Sequence, residues 1–272
     1  MRILSVLYDN SLSQAALQMG ADLSQHNCSP LTVLTVVSNT QLRPKYNQLL
    51  DAARMMTDPR KLTPVLRFGD PIKEIVAETR TGRFELVILG EEAPQKDIPP
   101  AHRKNISLTL INQIGVPVLF VKGGRRDLNK ILLCNSGGDT TGVLSRFTAE
   151  LTECLQTDCQ ITVLHVMSQI SSSPGAEDWP LLAEAEQLMQ EHTPEGIVLE
   201  RDLQVLEQKE YPVTPKIRHG FVIDEILSEV QDGDYDLLVI GAHRKETWQR
   251  LLLDDIAHEL LRQADRPVLV VK

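Results

Sequence analysis

The stretch after Gly241, "GAHRKETWQRLLLDD", joins a glycine, several basic side chains and two adjacent carboxylates, Asp254 and Asp255. A strand-like apolar run precedes it and a helical pattern follows. In α/β proteins a loop at that place holds phosphates on backbone amides. That chemistry needs glycines, because a Cβ keeps the backbone from closing on an anion. Here Gly241 is present, but Arg244 follows it and the two carboxylates end the loop. Such an ending repels a phosphate unless a divalent cation bridges the two. In the first half the corresponding loop starts at Gly90, passes Glu91, Glu92, Ala93 and Pro94, and ends in His102, Arg103, Lys104 and Asn105. Its basic end welcomes an anion, yet Pro99 and Pro100 remove two amide donors. A third stretch is "CNSGGDTT", Cys134 to Thr141. Ser136, Gly137 and Gly138 there form either a small amide nest or a tight turn capped by Asp139 or Thr140.

Other chemistry is sparse. There is no Gly-x-Ser-x-Gly elbow, no Walker loop and no dinucleotide fingerprint in its strand–turn–helix setting. His165 ends a strand and reads as a structural histidine, and His219, before Gly220, as a turn residue. His243 and His258 flank the second loop without a metal-ligand spacing. Glu184, Glu186 and Glu191 fit a solvated helix face. The four cysteines, Cys28, Cys134, Cys154 and Cys159, have no paired spacing and read as free thiols in a reducing compartment.

The elements that must position these residues come in two sets. "TPVLRFGDPIKEIVAETRTGRFELVILG", Thr63 to Gly90, lies without a gap on "TPKIRHGFVIDEILSEVQDGDYDLLVIG", Thr214 to Gly241. Arg67 falls on Arg218 and Gly69 on Gly220. "RILSVL" matches "KILLCN", "LTVLTVV" matches "ITVLHVM", and "ISLTLINQIGVPVLFVK" matches "IAHELLRQADRPVLVVK". The chain is therefore a duplicated unit: residues 1–122, a linker at 123–129, and residues 130–272. Within each copy short β-branched runs alternate with helical spacing, in the order β-α-β-α-β-α-β-α-β. Continuous apolar strands between helices mean a parallel sheet covered on both faces. Right-handed crossovers make it doubly wound, with its ligand crevice beyond the carboxyl ends of the first and fourth strands. Pro44 to Thr57 reads as an exposed or half-exposed helix. The second copy carries a longer insert between Ser168 and Val213, with a helix over "DWPLLAEAEQLMQEH".

Composition supports an aliphatic, soluble globular protein: 42% of residues are hydrophobic and only 4% aromatic. The opening "MRILSVLYDNS" turns polar too early for a secretory leader, and no apolar run approaches a membrane span. The expectation is a cytoplasmic protein. The net charge of −9 argues against nucleic-acid binding. Residues 1–122 carry +3 and residues 123–272 carry −12, so the two halves offer different faces to partners.

Each copy resembles the universal stress protein domain, and the chain resembles the tandem members of that family. The marks are the "DLLVIG" strand, the helix after it, the closing "RPVLVVK" and the strand "TVLHVM". The resemblance implies a Rossmann-like, adenine nucleotide alpha hydrolase-like fold, a five-stranded parallel sheet in the order 3-2-1-4-5 in each copy. Nucleotide-binding members carry Gly-x-x-Gly, nine residues, then Gly-Ser or Gly-Thr after the fourth strand. They also carry an Asp ending the first strand and a Val after the second strand's His. On that pattern the crevice positions are Asp9, Val36, Gly90, Lys104 and Asn105 in the first copy. In the second they are Asn135, Ser136, Gly137, Val166, Gly241, Arg244, Asp254 and Asp255. Arg244 replaces the second glycine, Asp254-Asp255 replace Gly-Ser, and Asn135 or Ser136 replaces the Asp. The implied protein is a stress-response binding or regulatory module of the kind that does not hold ATP in the usual way, with no cofactor and no catalysis. The alternatives are an ATP-binding switch or slow nucleotide hydrolase, and a scaffold docking on a transporter or sensor. In the family the last strand is an edge that pairs with its counterpart. "VPVLFVK" and "RPVLVVK" are then the seam of an internal pseudo-dimer, with a homodimer as a further possibility.

Overall fold

A computed structural model describes residues 1–7, 11–26, 30–37, 43–56, 61–91, 106–122, 128–135, 141–155, 158–167, 184–209, 211–242 and 249–272. The chain forms two compact units, one built mainly on Met1–Arg126 and the other mainly on Asp127–Ala264.

The first unit holds strands β1 (Ile3–Val6), β2 (Leu31–Val37), β3 (Leu62–Phe68), β4 (Leu86–Gly90) and β5 (Val118–Val121). Its helices are α1 (Ser11–His26), α2 (Arg43–Met56), α3 (Pro71–Thr81) and α4 (Ile106–Gln113). The strands lie in the order β3-β2-β1-β4-β5, and every neighbouring pair is parallel. β1, β4 and β5 are buried along their whole length, as strands covered on both faces must be. In α2, Tyr46, Leu50 and Ala53 are buried and Met55 is exposed, so the helix is half covered. α3 shows why its sequence is helical. Asp70 caps it by accepting from the Lys73 amide at 3.0 Å, Pro71 opens it, and Ile72, Ile75 and Val76 face the core.

The second sequence repeat follows the same plan with β6 (Lys130–Asn135), β7 (Gln160–Met167), β8 (Val213–His219), β9 (Leu237–Gly241) and β10 (Val268–Val271), in the order β8-β7-β6-β9-β10. α5 (Thr141–Leu155), α8 (Val222–Asp232) and α9 (Gln249–Gln263) correspond to α1, α3 and α4. The insert holds α6 (Ala185–Gln190) and α7 (Pro194–Glu207). This differs from the sequence reading, which placed one helix there. The chain turns at His192 (φ 52°), and Thr193 caps a new helix through the Gly196 amide at 3.0 Å. Gly196 fits because a Cβ there would stand 2.0 Å from the Leu188 carbonyl oxygen.

The aligned glycines Gly69 and Gly220 have one job. Both follow a third strand, at φ 142° and 152°, a region that side chains disfavour. The aligned arginines also share a role. Arg67 Nε donates to Glu78 on α3 at 2.5 Å, and Arg218 Nε to Glu229 on α8 at 2.6 Å. Each ties a third strand to the helix that follows it.

Candidate functional site

The carboxyl ends of β6, β7 and β9 converge, and with them the crevice residues expected of the second repeat. Asn135 is the last residue of β6 and pairs in register with His165 of β7. Val166 follows His165. Cys134 pairs with Ile240, so Gly241 adjoins Asn135 on the other side. In the first repeat Val36 and Gly90 likewise stand on the two strands flanking β1, beyond Leu34 and Leu89, the register partners of Val6. Asp9, Lys104, Asn105, Ser136, Gly137 and Arg244 lie outside the described residues.

Asp254 and Asp255 are in a different setting from the one their sequence suggested. α9 begins at Gln249, so the pair stands in the second turn of a helix and not at the end of a loop. Helix geometry directs the amides of residues 254 and 255 to carbonyls four residues back. Those amides are then unavailable to a phosphate whatever the side chains are.

Asn135 is buried at 6% exposure, and its side chain turns toward protein. Its Nδ2 donates to Oδ2 of Asp202 on α7. Ser145 Oγ on α5 donates to Oδ1 of the same carboxylate. Asp202 is fully buried. Burial pushes its pKa up to about 6, against the opposing pull of the Ser145 and Asn135 hydrogen bonds. On the other side, His165 Nδ1 donates to the Asn135 carbonyl at 3.1 Å, which fixes the ring tautomer. Burial lowers the His165 pKa, against the opposing pull of the Asn135 carbonyl and the charge of Glu195. His219 ends β8, and its Nε2 is buried without a partner among the described residues, as is that of His258 in α9. His243 lies outside them.

The insert supplies the decisive group, and the sequence reading missed it. α7 packs on α6 and against β7 and β8. Leu199, Leu203 and Leu206 form its buried stripe, and Asp202 sits within that stripe. An aspartate on the apolar face of a helix was the available signal. A second group outside the motif is Lys122, directly after β5, whose Nζ lies 2.5 Å from Glu91, the residue after Gly90. Burial draws its pKa down to about 8. It puts an ammonium at the carboxyl end of the first sheet. Among the described residues no group of three histidine, cysteine or acidic side chains is placed to hold a metal, and no helix is long and apolar enough to cross a membrane.

The universal stress protein family profile matches residues 128–272, more than half of the chain. The chain belongs to the universal stress protein family. A universal stress protein of Methanocaldococcus jannaschii is 23% identical over 155 residues, which is 56% of this chain and 87% of that protein. Among solved structures, a universal stress protein from Archaeoglobus fulgidus aligns with a TM-score of 0.69 at 14% identity, over 100% of this chain and 96% of that one. A protein of unknown function from Pseudomonas aeruginosa aligns at 0.65 with 18% identity, over 100% and 92%. At such identities the structural likeness speaks for the fold. The resemblance set Asn135 or Ser136 at the position where nucleotide-binding members carry Asp, and Asp202 lies against the first of these. An aspartate at 135 would set two carboxylates together out of water.

Proposed function

We propose that the chain is a regulatory binding protein of the universal stress protein family without catalysis of its own, and that its second repeat does not hold ATP in the family's usual way. The observation that carries this reading is the Asn135–Asp202 contact, which commits the strand-end side chain to the protein interior and places a buried carboxylate behind it. The start of α9 at Gln249 adds to it by enclosing residues 254 and 255 in a helix. Calorimetry of the full chain with Mg-ATP is the test. No saturable heat at millimolar nucleotide is expected. A micromolar dissociation constant that Asn135→Ala or a change at residues 241–255 abolishes would overturn the reading.

The protein works in the cytoplasm. Its acidic second half, at −12, docks a protein partner with a basic surface. The exposed acids Glu184, Glu186 and Glu191 support that choice of face. Crosslinking in cells followed by mass spectrometry tests it. Recovery of one partner, lost when those three acids are changed to glutamine, is the expected result. Partners captured equally by both forms would refute it.

A further inference from the structure

At the opposite, amino-terminal end of the second sheet, a cavity of about 690 Å³ opens between the starts of β6, β7 and β8 and the end of α8. Its walls include Lys130, Thr162, Thr214, Lys216, Glu229 and Tyr235. Glu229 is fully buried, and Lys216 Nζ contacts its two oxygens at 2.9 and 2.7 Å. Tyr235 OH donates to Glu229 at 2.9 Å. Lys130 Nζ donates to the Gly233 carbonyl at 2.5 Å and lies 5.3 Å from the centre of the Tyr235 ring.

The first repeat is an internal control for what the fold requires. In the ungapped match, Lys216 corresponds to Val65, Tyr235 to Phe84 and Asp232 to Thr81, while Glu229 and Arg218 keep their counterparts Glu78 and Arg67. The same strand order forms with valine and phenylalanine in those places. Apolar residues serve as well as a buried ion pair for stability alone. The strand order thus does not require the lysine at 216 or the tyrosine at 235, while Lys130 keeps a basic counterpart in Arg2.

The geometry points to a binding site for a small anion, a carboxylate or phosphate compound, seated on the ammonium groups of Lys216 and Lys130. The acids of the cavity are committed: Glu229 to Lys216, Arg218 and Tyr235, and Asp232 to Arg218 Nη2 at 2.6 Å. The carboxyl pole of α8 is met by Lys130. A cationic ligand finds its places filled by the protein's own lysines. Each ammonium has three donors, and each keeps at least one beyond its contacts among the described residues. The Lys216 side chain is 44% exposed, so a ligand can reach it. The volume suits a metabolite-sized molecule.

The test is an amide NMR titration of the full chain with sodium phosphate and, separately, sodium succinate, each against sodium chloride at equal ionic strength. Saturable shifts centred on residues 160–162, 214–216 and 233 are expected with at least one of the two. The better probe identifies the ligand as phosphorylated or carboxylic. Lys216→Val, which installs the residue of the first repeat, and Lys130→Gln should each weaken binding about tenfold or more while keeping the folded spectrum. If Lys216→Val does not fold, Lys130→Gln decides alone. Shifts that chloride reproduces, shifts centred on Asn135 and Gly241, no saturable shift with either salt, or unchanged affinity in the folded variants would each overturn the proposal.

Discussion

An aspartate at position 135 would face the buried carboxylate of Asp202, and two such groups share a proton before both ionise. Asn135→Asp should therefore destabilise the second unit strongly above neutral pH, and Asp202→Asn in the same chain should restore it, since the pair keeps one carboxylate and one amide. Urea unfolding of the two variants checks this; a double variant no better than the single one argues against the contact. Asp202→Asn alone has a pH signature. The folded pKa of about 6 lies above the ordinary 3.8. The folded chain thus holds an extra proton between about pH 4 and 6, and stability falls as pH rises through that window. The amide that replaces the carboxylate can accept from Asn135 and donate to Ser145, so both hydrogen bonds survive without the charge. The variant should match the wild type near pH 4 and exceed it by about 1–3 kcal/mol at pH 8. A loss of equal size at both pH values would show that the carboxylate is needed as such.

Elements carry the next differences between the repeats. α3 is capped by Asp70, whereas the equivalent position of α8 is Phe221, which makes no cap hydrogen bond and is 75% exposed. Phe221→Ser should stabilise α8 by about 0.5–1 kcal/mol, and Asp70→Ala should cost α3 about 1 kcal/mol. Hydrogen exchange of the first-turn amides reads both. Unchanged exchange in both variants would mean that packing alone sets these helix starts. α9 bears on the ligand question in a similar way. Because residues 254 and 255 are helical, restoring the family motif with Arg244→Gly, Asp254→Gly and Asp255→Ser should leave calorimetry with ATP silent. Simple charge repulsion predicts a gain of about tenfold or more, larger at low salt. A folded triple variant that binds ATP would revive that electrostatic account.

Across the whole molecule the two Arg–Glu tethers invite a paired comparison. Glu229 keeps Lys216 and Tyr235 if Arg218 is lost, but among the described residues Glu78 has no cation besides Arg67. Arg67→Met should therefore cost more than Arg218→Met, by about 1–2 kcal/mol, because an uncompensated buried carboxylate is the costlier outcome. Protection of α3 amides against α8 amides separates the two effects; an equal loss would refute the ranking. The sequence alone determined the duplication, the alternation of strands and helices, the glycines at 69 and 220 and the departures from the ligand motif. Each of these is local or repeats at a fixed offset. It marked Asn135 or Ser136 as unlike the family and gave no cause, and it read Asp254 and Asp255 as a loop ending. Tertiary structure decided those points. Asn135 and Asp202 are 67 residues apart and meet only because α7 packs beside the strand ends. Lys216 and Glu229 sit on different elements and share a cavity only through the sheet's crossover. Burial sets the charge of such groups, and burial is a property of packing that no local pattern records.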